Sequence, residues 1–563
     1  MGDKPSPGGN WKLEDRRETA QAPKSVRILW RHTLFSKNLR IRHTAVAAIA
    51  LAIGSAAAIP AATAAAATTR TTAIAPKWAS AAITPTATPI KHLVVLFQEN
   101  HSFDNYFGTY PHALNPSGEP AFHAAPHTPK VNGLTPALLT HNPNLANPFR
   151  LDRSQEITCD NNHGYTAMQK AYDNGKLDKF VQDVGPTGAG CSPTLTMGYY
   201  DGNTVTALWN YAQHFAMSDN NFDDTYGPST PQALNLISGQ THGAVPTGPT
   251  PNVVNGTLVT NLKPTNDDCD ASGNDPVKAS MTGRTIGDLL GTRHVTWGWF
   301  TGGFERTAVV NGTAVCGATS TNIAGTTENA YDAGWNNPFQ YYASTNNAHH
   351  LPPTSVAMIG NQDQANHQYG LTNFWAAADS GNLPAVSFLK APVAQQGHPT
   401  SSSPLDEQQY LVNTINHLEK LPSWKSTAVI ITWDESDGWY DNAMPPIVND
   451  SQSAADALTS PGICGGTVTP LQGYQDRCGY GPRVPELVIS PYSKVNFVSH
   501  ALTAQSAILR FIEQNWHLGQ IGNGSFDVRS GSIDSMFDFG RPAAKPMFLD
   551  PATGEPAAPS ASS

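Results

Sequence analysis

Two short polar pairs contain the residue types that a divalent cation binds. Glu99-Asn100 follows one run of apolar residues, and Asp434-Glu435 follows another far later in the chain. Carboxylate and amide oxygens are typical ligands of hard divalent cations. The alternative is that each pair only turns the chain at the end of a strand. Either pair alone leaves both interpretations open.

A serine in a helix-start pattern adds a nucleophile. In GPSTPQALNLISG, Pro231 at a first helical position behind Thr230 as cap, with Gly239 near the other end, predicts a short helix. Ser229 would then lie just before a helix amino terminus, where backbone amides favour a phosphate or a seryl alkoxide. The alternative is that Ser229 is only another capping residue.

Two buried strands position the polar pairs. Residues 90–98 and 427–433 are rich in β-branched and large apolar residues, which is typical of parallel strands covered by helices on both faces. The carboxyl ends of such strands meet at one edge of the sheet, where ligands bind. We therefore expect the two polar pairs to converge, which turn chemistry alone explains poorly.

The remaining pattern predicts an α/β fold with a mostly parallel sheet, flanking helices and loop-rich insertions. Further strands are expected at 295–300, 383–389 and 484–491, and helices at 165–172, 204–214, 403–420 and after a Thr503 cap.

These residues together suit metal-assisted ester chemistry. Glu99, Asn100, Ser229, Asp434 and Glu435 form an oxygen-rich set for one divalent cation, which would lower the pKa of the serine and offset phosphoryl charge. Histidines in Gly/Pro-rich contexts would bind phosphate oxygens or protonate a leaving group, although each alone is more often structural. These are His163, His242, His350, His367 and His398.

Charge and composition exclude some partners and suggest export. The 563-residue chain has a net charge of -10, and its first 43 residues are basic, so the remainder is strongly acidic and argues against nucleic acid as the main partner. A basic segment followed by an uncharged Ala-rich stretch predicts an export signal within 1–66, with a retained membrane anchor as the alternative. An Ala/Thr/Pro linker at 67–88, a catalytic domain at 89–518 and an extended tail at 519–563 would follow.

Six cysteines in an exported chain favour disulfides, since none forms a CxxC pair. Sequence order suggests Cys159 with Cys191, Cys269 with Cys316 and Cys464 with Cys478, although six cysteines allow fifteen pairings.

Five ordered blocks resemble a known family. ENHSFDNYFG, GPSTPQ with THG, HPTSSSPLDEQ, ITWDESDGWYD and GPRVPELVISPYS are similar to the motifs of the bacterial phosphoesterase family that holds acid phosphatases and non-haemolytic phospholipases C. The resemblance covers roughly residues 88 to 517 and implies an alkaline-phosphatase-like fold. It also implies Ser229 as nucleophile and the two polar pairs as metal ligands. Phosphate-site histidines would be His163, His398 and His350.

Two positions differ from the acid-phosphatase branch. Glu435 stands where that branch usually has Asp and the phospholipase branch has Glu, and Asn442 stands where a His is usual. The chain ends soon after the catalytic region, which favours the acid-phosphatase branch. The expected function is therefore an exported, metal-dependent acid phosphatase acting on phosphomonoesters through a phosphoseryl intermediate. The alternatives are a phospholipase C with transient contact to a membrane surface, and a secreted binding protein without turnover.

Overall fold

The computed structural model describes residues 85–155, 157–269 and 276–557. The predicted export signal at 1–66 and most of the predicted linker at 67–88 lie outside these ranges. Among the described residues, no helix combines the length and the apolar character needed to cross a bilayer.

An eight-stranded sheet forms the centre of the molecule. Seven strands run parallel and one, β7, is antiparallel to its neighbours, in the order β4-β3-β5-β1-β6-β7-β2-β8. The strands are β1 (His92–Gln98), β2 (Ala216–Ser218), β3 (Trp297–Thr301), β4 (Gln368–Gly370), β5 (Val386–Lys390), β6 (Thr427–Trp433), β7 (Glu486–Ile489) and β8 (Phe497–Ser499).

The helices flank this sheet, which confirms the predicted α/β class. They are α1 (Phe103–Phe107), α2 (Pro136–Thr140), α3 (Tyr165–Tyr172), α4 (Phe180–Asp183), α5 (Thr206–His214), α6 (Ser229–Ser238), α7 (Ile286–Thr292), α8 (Leu371–Asp379), α9 (Pro404–Leu418) and α10 (Ser506–Asn515). Ser403 starts α9 with a reciprocal capping box to Asp406.

Strand β1 is buried on both faces because its residues alternate between two apolar cores. Val94 and Leu96 join the core formed with α5, α8 and α9. Leu93 and Val95 join the opposite core, formed with α6, α7 and α10. Strand β1 pairs in parallel with β5 on one side and with β6 on the other. Its carboxyl end therefore lies level with that of β6.

Two helix starts differ from the sequence prediction. Helix α6 begins at Ser229 after Pro228, so Thr230 is not its cap, although Gly239 does end it in a left-handed conformation. Helix α10 begins at Ser506, because the predicted cap Thr503 lies in a short strand that pairs with residues 221–222. Both differences come from contacts distant in sequence.

The segment after residue 519 is not the extended tail that its composition suggests. Phe526, Ile533 and Leu549 are buried in the apolar cores, and the Asn210 side chain donates to the backbone oxygen of Gly554. Apolar residues spaced among Gly, Ser and Pro thus anchor residues 519–557 on the domain.

Loop-rich insertions carry short two-stranded pairs and all three disulfides. The disulfides join Cys159 to Cys191, Cys269 to Cys316 and Cys464 to Cys478, as sequence order suggested. The short pairs join 149–150 to 198–199, 221–222 to 503–504, 244–246 to 279–281, 253–254 to 257–258, 308–310 to 313–315 and 319–321 to 327–329.

Candidate functional site

The two polar pairs converge, as the strand pattern predicted. Strands β1 and β6 pair in register up to Gln98 and Trp433, so the following residues are neighbours. The backbone N–H of Asn100 donates to Asp434 Oδ1 at 2.9 Å, and the N–H of Asp434 donates to the oxygen of Gln98 at 3.0 Å. Asn100 has φ 63°, a left-handed conformation that Asn tolerates and that turns the chain sharply after β1.

Four buried oxygen atoms at this edge have no hydrogen-bond partner among the described residues. They are Glu99 Oε2, Asn100 Oδ1, Asp434 Oδ2 and Glu435 Oε1. All four residues are fully buried. A buried polar atom without a partner costs free energy, so such a cluster calls for an additional ligand. An oxygen-only set of this kind fits a hard divalent cation.

The pKa shifts of the carboxyl groups in this cluster also favour a bound cation. Burial and, to a smaller extent, the negative charge of Glu99 raise the pKa of Asp434 to about 7. Burial also raises the pKa of Glu435 well above its usual range, with His163 opposing and Asp434 adding to the shift. Several carboxylates in one desolvated space repel one another, and a cation would relieve that repulsion.

Asp223 adds a further carboxylate that the sequence pattern did not indicate. It is fully buried, and neither of its side-chain oxygens has a partner within the described part of the chain. Burial and the charge of Asp434 raise its pKa well above the ordinary value. Asp223 precedes Ser229 by six residues, and no apolar strand before it marked it as a site residue.

Lys390 is the nearest compensating charge. It ends β5, is fully buried, and its Nζ contacts Glu99 Oε1, while Glu99 Oε2 stays without a partner. Its ammonium group also lies 4.5 Å from the centre of the Phe97 ring. A lysine at the carboxyl end of a buried apolar strand was the available sequence signal.

His163 and His398 lie together beside the acidic cluster. Their ring centres are 6.4 Å apart, and His163 Nε2 lies 3.9 Å from Glu435 Oε1. Burial opposes protonation of His163, but Glu435 and Asp160 outweigh burial and raise its pKa. His398 is half-buried, and its Nδ1 is 2.6 Å from the backbone oxygen of Pro399.

Asp437 joins His163 to the polar pairs. Its Oδ1 is 3.0 Å from His163 Nδ1 and accepts from Asn100 Nδ2 at 3.2 Å. Asp160, His163 and Asp437 also have ligand atoms close enough to hold a metal ion. The acidic block that supplied Asp434 and Glu435 contains Asp437 as well, so the signal was present in the sequence.

Ser229 is buried as the first residue of α6. The next residue fixes the start of the helix, because the Thr230 N–H donates to Asn261 Oδ1 at 2.9 Å and its hydroxyl donates to the Gly334 oxygen at 3.2 Å. No hydrogen bond links the Ser229 hydroxyl to the carboxylate cluster within the described ranges. Its role as nucleophile and metal ligand stays a prediction.

His350 lies in a different buried cluster. Its Nδ1 is 2.7 Å from the backbone oxygen of Phe304, and its Nε2 is 2.8 Å from Asp267 Oδ1. Its ring also packs near the disulfide sulfur of Cys316 at 3.4 Å. Both ring nitrogens are therefore engaged away from the polar pairs, and the predicted catalytic role of His350 gains no support from its contacts.

The two other candidate histidines have structural contacts. His242 stacks on Tyr474 and bonds to the backbone oxygen of Asn523. His367 stacks on Trp297 and bonds to its backbone oxygen. Neither makes a recorded contact with the carboxylate cluster in the described part of the molecule.

Comparison with known proteins finds a matching protein family and several similar enzymes. A family profile described as "Phosphoesterase family" matches residues 90–519. The chain is 26% identical to a non-haemolytic phospholipase C from Burkholderia pseudomallei, covering 82% of this chain and 60% of that protein. It is 26% identical to phospholipase C A from Mycobacterium tuberculosis, covering 72% and 69% respectively. A solved protein of the alkaline phosphatase superfamily from Vibrio parahaemolyticus is 10% identical over 78% of this chain and 71% of that one, with a TM-score of 0.28.

The profile match extends over most of the chain and includes the ends of β1 and β6, where the unpartnered oxygens lie. The chain spans about 60% of the length of the Burkholderia relative. This chain belongs to the phosphoesterase family.

Proposed function

We propose that this chain is a metal-dependent phosphoric-ester hydrolase that acts through a phosphoseryl intermediate. The observation that carries the proposal is the set of four buried, unpartnered oxygens of Glu99, Asn100, Asp434 and Glu435 at one edge of the sheet. Membership of the phosphoesterase family supports the same reaction class. A binding protein without turnover would have no need to retain the nucleophile Ser229 beside all four acidic and amide ligands.

Glu99, Asn100, Asp434 and Glu435 would hold the cation together with the Ser229 oxygen. When bound, the cation would lower the pKa of the serine hydroxyl and offset negative charge on the transferring phosphoryl group. Ser229 would attack phosphorus in line with the leaving oxygen, and water would then hydrolyse the phosphoserine. The positive end of the α6 dipole, at Ser229, would also favour the phosphate.

The histidines divide between two tasks in this scheme. His163, whose Nε2 faces Glu435, would donate to a phosphate oxygen. Half-buried His398, beside His163, is the better candidate for protonating the leaving alkoxide, because both ring nitrogens of His350 are bonded elsewhere.

The relatives favour a phospholipid as the substrate. Both curated relatives described above carry the name phospholipase C, as does non-specific phospholipase C3 from Arabidopsis thaliana, which is 24% identical over 74% of this chain and 65% of its own length. We therefore favour release of a phosphorylated headgroup at a membrane surface. The acid-phosphatase reaction on a small monoester is the second candidate.

A paired assay separates the two reactions. Release of phosphocholine from phosphatidylcholine vesicles with little phosphate from an aryl phosphomonoester would support the phospholipase reaction, and the reverse would support the phosphatase. Both activities should disappear after chelation and return with an added divalent cation. Hydrolysis of a sulfate ester in place of both phosphate esters would contradict the proposal.

Three disulfides support export, because such bonds persist outside the reducing cytoplasm. We propose an extracytoplasmic location for the enzyme. Fractionation of expressing cells tests this, and activity confined to the cytoplasmic fraction would contradict it.

A further inference from the structure

The carboxylate of Asp437 contacts four donor groups in or next to the candidate site, and it also contacts the Asp160 carboxyl group. Its Oδ1 accepts from Asn100 Nδ2 at 3.2 Å and lies 3.0 Å from His163 Nδ1. Its Oδ2 accepts from the backbone N–H of Asn161 at 3.3 Å and from Asn161 Nδ2 at 3.2 Å. Asp437 is fully buried. A carboxyl group suits this place because its two oxygens can accept hydrogen bonds from several donors.

The contact to Asn100 decides which way that amide faces. An amide has one donor end and one acceptor end, and Asp437 engages the NH₂ group. The oxygen, Asn100 Oδ1, is thereby turned the other way and is left without a partner among the residues described. Asp437 thus presents the ligand atom of Asn100 to the space between the polar pairs.

The contact to His163 decides which ring nitrogen is available. Nδ1 faces two acceptors, the Asn161 backbone oxygen at 2.9 Å and Asp437 Oδ1 at 3.0 Å, so Nδ1 carries the proton. Nε2 is then the nitrogen directed toward Glu435. The backbone N–H of Asp437 also donates to Glu435 Oε2 at 2.5 Å, which leaves Glu435 Oε1 as the unpartnered oxygen.

We infer that Asp437 is a positioning residue that orients an amide ligand of the cation and the phosphate-facing histidine at the same time. The inference rests on the proposed function and extends it to a residue outside the ligand set. Outer residues that orient metal ligands typically change metal affinity or activity by about 10–100-fold when replaced. Asp437 touches the groups for cation and phosphate alike, so its loss should weaken both.

The test is Asp437→Asn in the full chain. One amide oxygen cannot accept from all four donors, and the new NH₂ would face one of them. We expect Mn²⁺ affinity to fall about 10–100-fold and the inhibition constant of inorganic phosphate to rise by a similar factor. The matched control is Asp379→Asn, which alters another carboxylate beside a histidine. That carboxylate lies 2.7 Å from His417 Nε2, is 52% exposed and belongs to α8 rather than to the candidate site.

A second variant covers the case in which Asp437→Asn does not fold. Asn161→Ala removes one bond to Asp437 Oδ2 and leaves the carboxylate in place, so it should weaken Mn²⁺ and phosphate binding in the same direction by a smaller factor. Unchanged Mn²⁺ and phosphate binding in a folded Asp437→Asn variant, or in Asn161→Ala, would overturn the inference. So would an equal loss in the Asp379→Asn control.

The test of Asp437 gives a result even if the proposed hydrolase reaction is wrong. If the wild-type chain binds Mn²⁺ but hydrolyses neither ester, the proposed reaction fails, and the comparison of Mn²⁺ affinity still decides the role of Asp437.

Discussion

Lys390 Nζ contacts Glu99 Oε1, and neither side chain is exposed to solvent. The ammonium group of Lys390 thus lies beside one carboxylate oxygen of Glu99, while the other oxygen, Oε2, has no hydrogen-bond partner among the described residues. Lys390 therefore offsets part of the buried negative charge, but one ammonium group cannot balance Glu99, Asp434 and Glu435 together.

Replacing Lys390 with Met should destabilise the chain chiefly when no cation is bound. Removing one partner of a buried ion pair leaves the other charge uncompensated, which costs about 3–5 kcal/mol. We expect the unfolding temperature to fall in chelator and to recover with added divalent cation by more than it does in the wild type. Differential scanning calorimetry measures both.

The control is Lys420→Met, which removes an exposed lysine lying over the Phe548 ring. It should change the unfolding free energy by no more than about 0.5 kcal/mol, with or without cation. An equal cation response in Lys390→Met and wild type would contradict the charge-balancing role.

Ser229→Ala should abolish turnover while the fold persists. Loss of a nucleophile lowers kcat by at least about 10³-fold in covalent hydrolases. The control is Ser238→Ala at the other end of α6, whose hydroxyl donates to the Leu234 and Gln240 backbone oxygens. That variant should lose about 1 kcal/mol of stability and keep its kcat. Steady-state assays with circular dichroism check both, and wild-type turnover in Ser229→Ala would eliminate the covalent scheme.

Glu486 should make the chain less stable as pH rises. This residue of β7 is fully buried, neither side-chain oxygen has a partner in the described ranges, and burial raises its pKa from 4.5 to about 8. The folded state then binds the proton more tightly than the unfolded state. The stabilisation is complete below pH 4.5 and is lost progressively as pH rises toward 8, by up to about 5 kcal/mol at about 1.4 kcal/mol per pKa unit.

Glu486→Gln removes that titration, so its unfolding free energy should fall less between pH 5 and pH 8.5 than that of the wild type. Denaturant titrations at several pH values measure the difference. Parallel pH profiles for the two proteins would show that Glu486 does not titrate in this window.

Asn442 should contribute to stability rather than to proton transfer. Its Oδ1 accepts from Arg483 Nη2 at 2.8 Å, in a buried network in which Arg483 also bonds to Asp104 and Asp441. Asn442→Ala should cost about 1–3 kcal/mol, since a buried charged donor loses a partner. The pH dependence of kcat should stay unchanged, and a shifted profile would assign the residue to catalysis.

The sequence predicted those strands and helix starts that depend on local residue patterns. Strand β6 has the predicted bounds, and the apolar character of β1 and β6 correctly implied that Asn100 and Asp434 would meet. The capping pattern of α9 likewise predicted its start at Ser403. Phosphoester hydrolysis is supported by the relatives, and their phospholipase C activity fits the chain at least as well as the expected acid-phosphatase function.

Contacts distant in sequence explain what the pattern missed. His350 bonds to Asp267, a partner that no local sequence motif predicts. Thr503 pairs with the segment at 221–222 and so cannot cap α10. Asp223 joins the cluster only because the sheet order brings its segment to the same edge, which a single sequence does not reveal.

Cation binding itself tests the central claim most directly. Purified chain should bind about one divalent ion, measured by elemental analysis and by Mn²⁺ titration calorimetry after chelation. Asp434→Asn and Glu435→Gln should each lose that binding. The control Asp456→Asn should keep it, because that buried carboxylate bonds to Tyr165 and Ser453 elsewhere. A wild-type chain that binds no divalent cation, or ligand variants that bind it as tightly as the wild type, would contradict the account.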